Sequence, residues 1–192
     1  MSAGEGMSTS STQASSRSPL PDAAILAKGM AALRIFVGLI ALLNGLAKLL
    51  NFRDIEIGVF KANLITLAET RQILEFEANG RGGTGTEVPG LKTLVNDVIL
   101  ANYSIAEVLI TATELGVGVA LVLGIATRAG ALVGLGQHLF LALLYASSNR
   151  WLFEQPHEWV PLVILALVPA GRMWGLDARL VQRRPALRRW PF

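Results

Sequence analysis

Residues 30–50 read MAALRIFVGLIALLNGLAKLL, an apolar run broken by only two charged side chains, Arg34 and Lys48. Coiled at about 1.5 Å per residue, the run is about 32 Å long, enough to cross the roughly 30 Å hydrocarbon core of a bilayer. Three further stretches have the same character: YSIAEVLITATELGVGVALVL over 103–123, TRAGALVGLGQHLFLALLYAS over 127–147, and EWVPLVILALVPAGRMWG over 158–175. With the first span taken as 29–50, the sequence predicts an all-α fold, an integral membrane four-helix bundle. Only Gly124, Ile125 and Ala126 separate the second and third spans, so these must form a tight antiparallel pair. The fourth is the shortest and holds Pro161 and Pro169, which blur its limits.

The composition points to the same solvent. Hydrophobic residues make up 52% and charged residues 16%, and the mean hydropathy is +0.49, outside the balance of soluble domains. The net charge of +3 is modest, and six arginines fall in the last 21 residues, so the basic excess reads as a membrane-surface anchor and not as a nucleic-acid interface. Without cysteine, the chain has no disulfide, thiolate metal site or cysteine nucleophile. Two histidines, His138 and His157, are too few for a typical zinc centre, and no metal is expected.

Residues 1–24 are rich in Ser, Gly, Thr and Ala and are expected to form a disordered tail, since such a segment buries too little apolar surface to offset its ordering entropy. The head is nearly neutral and the apolar run long, so the first span is expected to be retained and not cleaved as a signal peptide. The membrane domain then covers 25–178, and a basic tail covers 179–192. The large loop, 51–101, places Ile55, Val59, Phe60, Ile65, Ile73 and Leu74 among charges at roughly helical spacing, which predicts an amphipathic helix on the membrane surface or capping the bundle.

Four spans put both termini and the Arg128 turn on one side, with about nine basic residues; the opposite loops hold six basic and nine acidic residues. The positive-inside rule therefore predicts cytoplasmic termini in the inner membrane of a prokaryote. Trp151 and Trp159 at one set of span ends, with Trp174 and Trp190 at the other, read as two aromatic belts.

Gly80, Gly82 and Gly85 formally match the dinucleotide pattern G-x-G-x-x-G, but no strand precedes them and Val88-Pro89-Gly90 follows, so a flexible loop is expected. Gly116 and Gly118 in the second span, and Gly130, Gly134 and Gly136 in the third, are expected to admit close helix packing.

Polar residues inside the spans each cost about 2.5–3.5 kcal/mol at mid-membrane unless paired or wetted. Helical rise places Lys48 and Glu107 at one depth, and Glu114 and His138 at another. Two readings follow. In one, Lys48 and Glu107 form a structural ion pair while Glu114 bonds His138, Asn44 or Arg34, joining the helices. In the other, Glu114, His138 and Lys48, with Gln137, line a polar cavity that handles a quinone head group or a proton, since a carboxylate and an imidazole in low dielectric have movable pKa values. Arg34, Asn44, Glu107 and Gln137 complete the polar seam in either case.

LRIFVGLIALLNGLAKL resembles the opening helix of the DoxX and DoxD-like membrane proteins, at Arg34, Gly38, Gly45, Lys48 and Leu49. ELGVGVALVLGIATRAGAL is similar to that family's Glu-led, Gly-rich helix and Thr-Arg turn, at Glu114, Gly116, Gly124, Thr127 and Arg128. GRMWGLDARL resembles its close, at Gly171, Arg172, Leu176 and Asp177; the long 51–101 loop and the serine-rich tail depart from the pattern. The resemblance implies a four-helix membrane subunit tied to quinone-linked redox work with protein partner subunits, as in the small subunits of a thiosulfate:quinone oxidoreductase. A structural accessory subunit without chemistry of its own is the alternative, and the absence of cysteine fits both.

Overall fold

A computed structural model describes residues 22–80, 85–149, 154–184, 187 and 190–192. The order of elements is α1 (Ala23–Leu50), β1 (Asp54–Ile57), β2 (Phe60–Asn63), α2 (Leu67–Asn79), α3 (Leu91–Thr93), a π-helical stretch (Leu94–Leu100), α4 (Tyr103–Leu123), α5 (Thr127–Tyr145), α6 (Pro156–Leu167), a 3-10 turn (Ala170–Arg172) and α7 (Leu176–Arg183). Among the described residues, α1, α4 and α5 are long and apolar enough to cross a membrane. Their outward faces carry exposed aliphatic and aromatic side chains, among them Phe36, Ile105, Val108, Val133 and Leu143, as lipid-facing helices do.

α1 starts earlier than the hydropathy limit, at Ala23, because the Asp22 carboxylate accepts from the Ala24 N–H and the following AAILAK is made of helix formers. The tail expected over 1–24 thus ends in helix at Ala23 and Ala24, and residues 1–21 lie outside the described residues. α4 and α5 occupy the second and third apolar stretches and are joined at Gly124, which takes the left-handed conformation at φ +65°.

The fourth apolar stretch differs from expectation. α6 has 12 residues, about 18 Å of helix, and is too short to cross a bilayer alone. Val168 is extended and Pro169 supplies no N–H, so the helix stops there and the chain turns through Ala170–Arg172. A single helical span over 158–175 is therefore not formed. Trp151 lies outside the described residues, whereas Trp174 and Trp190 are exposed.

α1 runs antiparallel to α4 along most of its length, α5 packs on α4 and α6, and α6 also reaches α1. Small residues set the α1–α4 register. A Cβ on Gly45 would come within 2.9 Å of Leu115, one on Gly38 within 2.8 Å of Leu121 and Val122, and one on Gly118 within 2.5 Å of the Leu42 backbone. Gly134 similarly faces Val117 and Leu162, whereas Gly116 and Gly136 face open space and have no such packing role. The core between these helices holds Val117, Leu121, Ala131, Leu162 and Leu165.

The 51–101 loop folds into a cap of two parts. Its first half is a β-hairpin and not a helix: DIEI and FKAN pair antiparallel, Asp54 with Asn63 and Ile57 with Phe60, across Gly58 and Val59. Alternation of period two over Asp54–Ile57, together with a glycine at φ +61° in the first turn position, selects the hairpin. The second half contains the amphipathic helix, α2, opened by a capping box in which Thr66 and Glu69 satisfy each other's backbone N–H. Leu74 and Ala78 of α2 bury against Leu91, Val95 and Leu144, so the cap seats on the end of α5. Gly80 ends α2 at φ +67°, residues 81–84 lie outside the described residues, and residues 85–90 form no helix or strand, so no helix follows the glycine pattern directly.

Candidate functional site

Under the cap, between α4 and α5, lies a cavity of about 360 Å³. Ile110 and Leu109 of α4, Phe140 and Leu141 of α5, Ile73 and Leu74 of α2, and Leu94 and Ile99 of the π-helical stretch make its walls almost wholly apolar. Its polar floor is Lys48, Glu114 and Gln137, and Thr70 and Tyr145 also line it.

The α1–α4 register explains the floor. With residue 45 against 115, Lys48 stands opposite Thr111 and Ala112, and its four-carbon stem reaches Glu114. Lys48 Nζ lies 2.8 Å from Glu114 Oε2, with the side chains 2% and 15% exposed. The approach is off the hydrogen-bonding direction, since Oε2 has no aligned donor although its charge is paired. Glu114 Oε1 accepts from Gln137 Nε2 at 3.2 Å. One carboxylate thus ties α1, α4 and α5 together at the bottom of an apolar cavity.

These pairings correct the sequence expectation. Lys48 turns to Glu114 and not to Glu107, although Lys48 and Glu107 both line a second groove of about 300 Å³ on the other side of the lysine. His138 does not meet Glu114: its Nδ1 lies 3.4 Å from Glu158 Oε2 of α6, and both side chains are about one-third exposed. Adjacent helical positions point about 100° apart, so Gln137 takes the α4 face and His138 the α6 face. Asn44 does not reach Glu114 either; it donates to the Ile40 carbonyl and accepts from the Ile65 N–H, tying the hairpin's exit to α1. Arg34 lies at the far end, fully buried, and donates to the carbonyls of Leu121, Val122 and Trp174, closing the C-terminus of α4.

The cap is held down by polar clasps. Tyr103 Oη donates to the Leu67 carbonyl at 2.6 Å, and the Arg71 guanidinium sits 5.3 Å from the Tyr103 ring centre. Asn79 and Asn96 exchange amide hydrogen bonds of 2.9 and 3.1 Å, and Ser148 donates to the Glu77 carboxylate. At the front of α2, the backbone N–H of Thr66 holds the Glu69 carboxyl below its ordinary value, aided by the Thr66 hydroxyl and by Arg53.

No family model, curated protein or solved structure matches the chain. The chemistry must therefore be read from the residues. Among the described residues no group of three His, Asp or Glu side chains is placed to hold a metal ion. The cavity offers a cationic donor, an anionic acceptor and an amide at one end of an apolar chamber, which suits a molecule with a small polar head and an apolar body. Sequence reasoning named Ile65, Ile73 and Leu74 as the apolar side of a surface or capping helix but not as walls of a chamber, and it missed both Leu94 and Glu158 as the partner of His138. Apolar periodicity marks such residues as buried without naming what they bury against.

Proposed function

We propose that the chain is a DoxX-like multi-pass subunit that binds the head group of a quinone in the cavity under the cap and works beside a redox partner protein in the inner membrane of a prokaryote. On this reading α6 and the residues after it make the fourth crossing of a four-helix membrane bundle, and both termini are cytoplasmic. The observation that carries the proposal is the apolar cavity floored by Lys48, Glu114 and Gln137. Its volume of about 360 Å³ falls within the range of small-molecule sites.

The polar floor matches both redox forms. Quinone carbonyls only accept hydrogen bonds, and Lys48 and Gln137 carry N–H donors; quinol hydroxyls donate, and Glu114 accepts. A proton taken up or released when the head group changes redox state has Glu114 as its nearest carboxylate, while the electrons belong to the partner. The apolar walls receive the ring and the start of the lipid tail, and exclude water that would weaken the polar contacts. His138, paired with Glu158, has no part in this site.

Glu114→Gln in membranes tests the proposal. Quinone-dependent turnover and co-purified quinone are both expected to fall at unchanged protein level. Unchanged turnover and quinone content would reject it and leave Lys48–Glu114 as a structural tie in an accessory subunit.

A further inference from the structure

The chain beyond α6 returns to the bundle before it leaves it. Asp177, 1% exposed, reaches the turn between α4 and α5. Its carboxylate accepts from the N–H groups of Ala126 at 2.7 Å and Thr127 at 3.2 Å, and from the Thr127 hydroxyl at 2.9 Å. Its own N–H donates to the Gly124 carbonyl at 2.8 Å. A carboxylate carried by α7 therefore caps the N-terminus of α5, where the exposed amides and the helix dipole favour negative charge. Gly175 seats directly on this turn, since a Cβ there would come 3.0 Å from the Gly124 backbone. The first turn of α7 is fixed at the level where two bilayer-length helices end.

The rest of α7 divides into two faces. Leu176, Ala178, Leu180 and Val181 are half-buried, while Arg179, Gln182 and Arg183 are exposed, and Arg184 continues the exposed side just past the helix. Trp174, 62% exposed, stands just before the helix. A short helix with an apolar side, an arginine side and a tryptophan at its root, held at the end of membrane-length helices, has the features of an interfacial helix. Guanidinium groups pair with phosphate through planar, bidentate hydrogen bonds, so the complementary surface is the anionic head-group layer.

We propose that α7 lies in the membrane–water interface and binds anionic phospholipid head groups through Arg179, Arg183 and Arg184, and that Asp177 passes this binding to the α4–α5 turn. The lipid environment then sets the stability of the α4–α5 pair, independently of any ligand in the cavity.

The full-length protein in nanodiscs of phosphatidylcholine, alone or mixed with phosphatidylglycerol, supplies the test. Two readouts are taken: the thermal unfolding midpoint, and the immobilisation of spin-labelled phosphatidylglycerol relative to spin-labelled phosphatidylcholine. The wild-type midpoint is expected to rise with phosphatidylglycerol, the rise to shrink with added salt, and the anionic spin label to be preferred. Arg179→Gln/Arg183→Gln/Arg184→Gln is expected to keep the wild-type midpoint in phosphatidylcholine and lose both effects. Asp177→Asn is expected to keep the label preference and lose the midpoint rise; Thr127→Ala gives the same split should Asp177→Asn fail to assemble. A wild-type midpoint indifferent to phosphatidylglycerol, or a triple variant that responds as wild type, overturns the proposal. So does a triple variant that sheds an acidic protein partner while keeping its lipid preference.

Discussion

Lys48 and Glu114 sit where neither would be tolerated alone. Removing one partner of a buried ion pair leaves an uncompensated charge and typically costs about 3–5 kcal/mol, while replacing both is far milder. Lys48→Met is accordingly predicted to lower unfolding stability in detergent by about 3 kcal/mol, and Lys48→Met/Glu114→Gln to recover much of that loss; additive losses in the double variant would show that the pair is not coupled. Glu107→Gln, which leaves the pair intact, is predicted to change stability little. The polar residues themselves were legible in the sequence, because a charge in an apolar span stands out. Their pairing was less so. Depth along the helices offers His138, Asn44 or Arg34 to Glu114 and Glu107 to Lys48, while the cavity reading sets Lys48, Glu114 and Gln137 together but adds His138. Depth can be counted, whereas the face that each neighbour occupies is set by packing. The glycine contacts at 38, 45 and 118 set α1 against α4, and those of Gly130 with Ala120 and Gly134 with Val117 set α5 against α4, which turns Gln137 rather than His138 to Glu114.

At the scale of the elements, the α1–α4 contact depends on particular glycines. Gly118→Ala is predicted to destabilise by about 1–3 kcal/mol, because its Cβ would meet the Leu42 backbone, which cannot rotate away. Gly116→Ala, which faces open space, is predicted to be neutral or to stabilise by up to about 1 kcal/mol. Equal effects of the two, measured by thermal unfolding, would refute the register. The cap has its own weak point in the capping box: Thr66→Ala is predicted to cost about 1 kcal/mol and to raise amide exchange in α2. Because the Glu69 pKa is lowered in the folded protein, its contribution is full above the ordinary glutamate pKa and is lost as pH falls through the lower folded value. Amide protection in α2, taken after correction for the intrinsic pH dependence of exchange, should therefore fall in acid, and Glu69→Gln should remove that fall. The amphipathic α2 was legible from its spacing. The hairpin before it was read as helix, because a few apolar residues among charges fit either period until the Gly58 turn is recognised. The fourth span was read too long, because hydropathy averages across the break that Val168 and Pro169 make.

At the scale of the whole molecule, the three membrane-length helices among the described residues and the shorter α6 pack around an aliphatic core, with Arg34 and Asp177 buried at one end and the cap covering the start of α4 and the end of α5 at the other. There the fold leaves a chamber, roofed by α2 and the π-helical stretch and floored by the Lys48, Glu114 and Gln137 cluster. Membrane character was plain from composition and length alone. The chamber was legible only in its floor: the sequence groups Lys48, Glu114 and Gln137 at a polar cavity but adds His138 and gives no apolar walls, because roof and floor come from segments far apart in the chain. Its occupancy is tested most directly by photolabelling the full-length protein in membranes with an azidoquinone and mapping the adducts by mass spectrometry. Adducts are predicted on the lining segments, at 65–74, 94–110 and 137–145, competed by excess unlabelled quinone and lost in Ala106→Trp, which fills the chamber. Labelling confined to the outward faces of α1 and α6, or labelling that neither competitor nor Ala106→Trp reduces, would contradict a quinone site in this cavity.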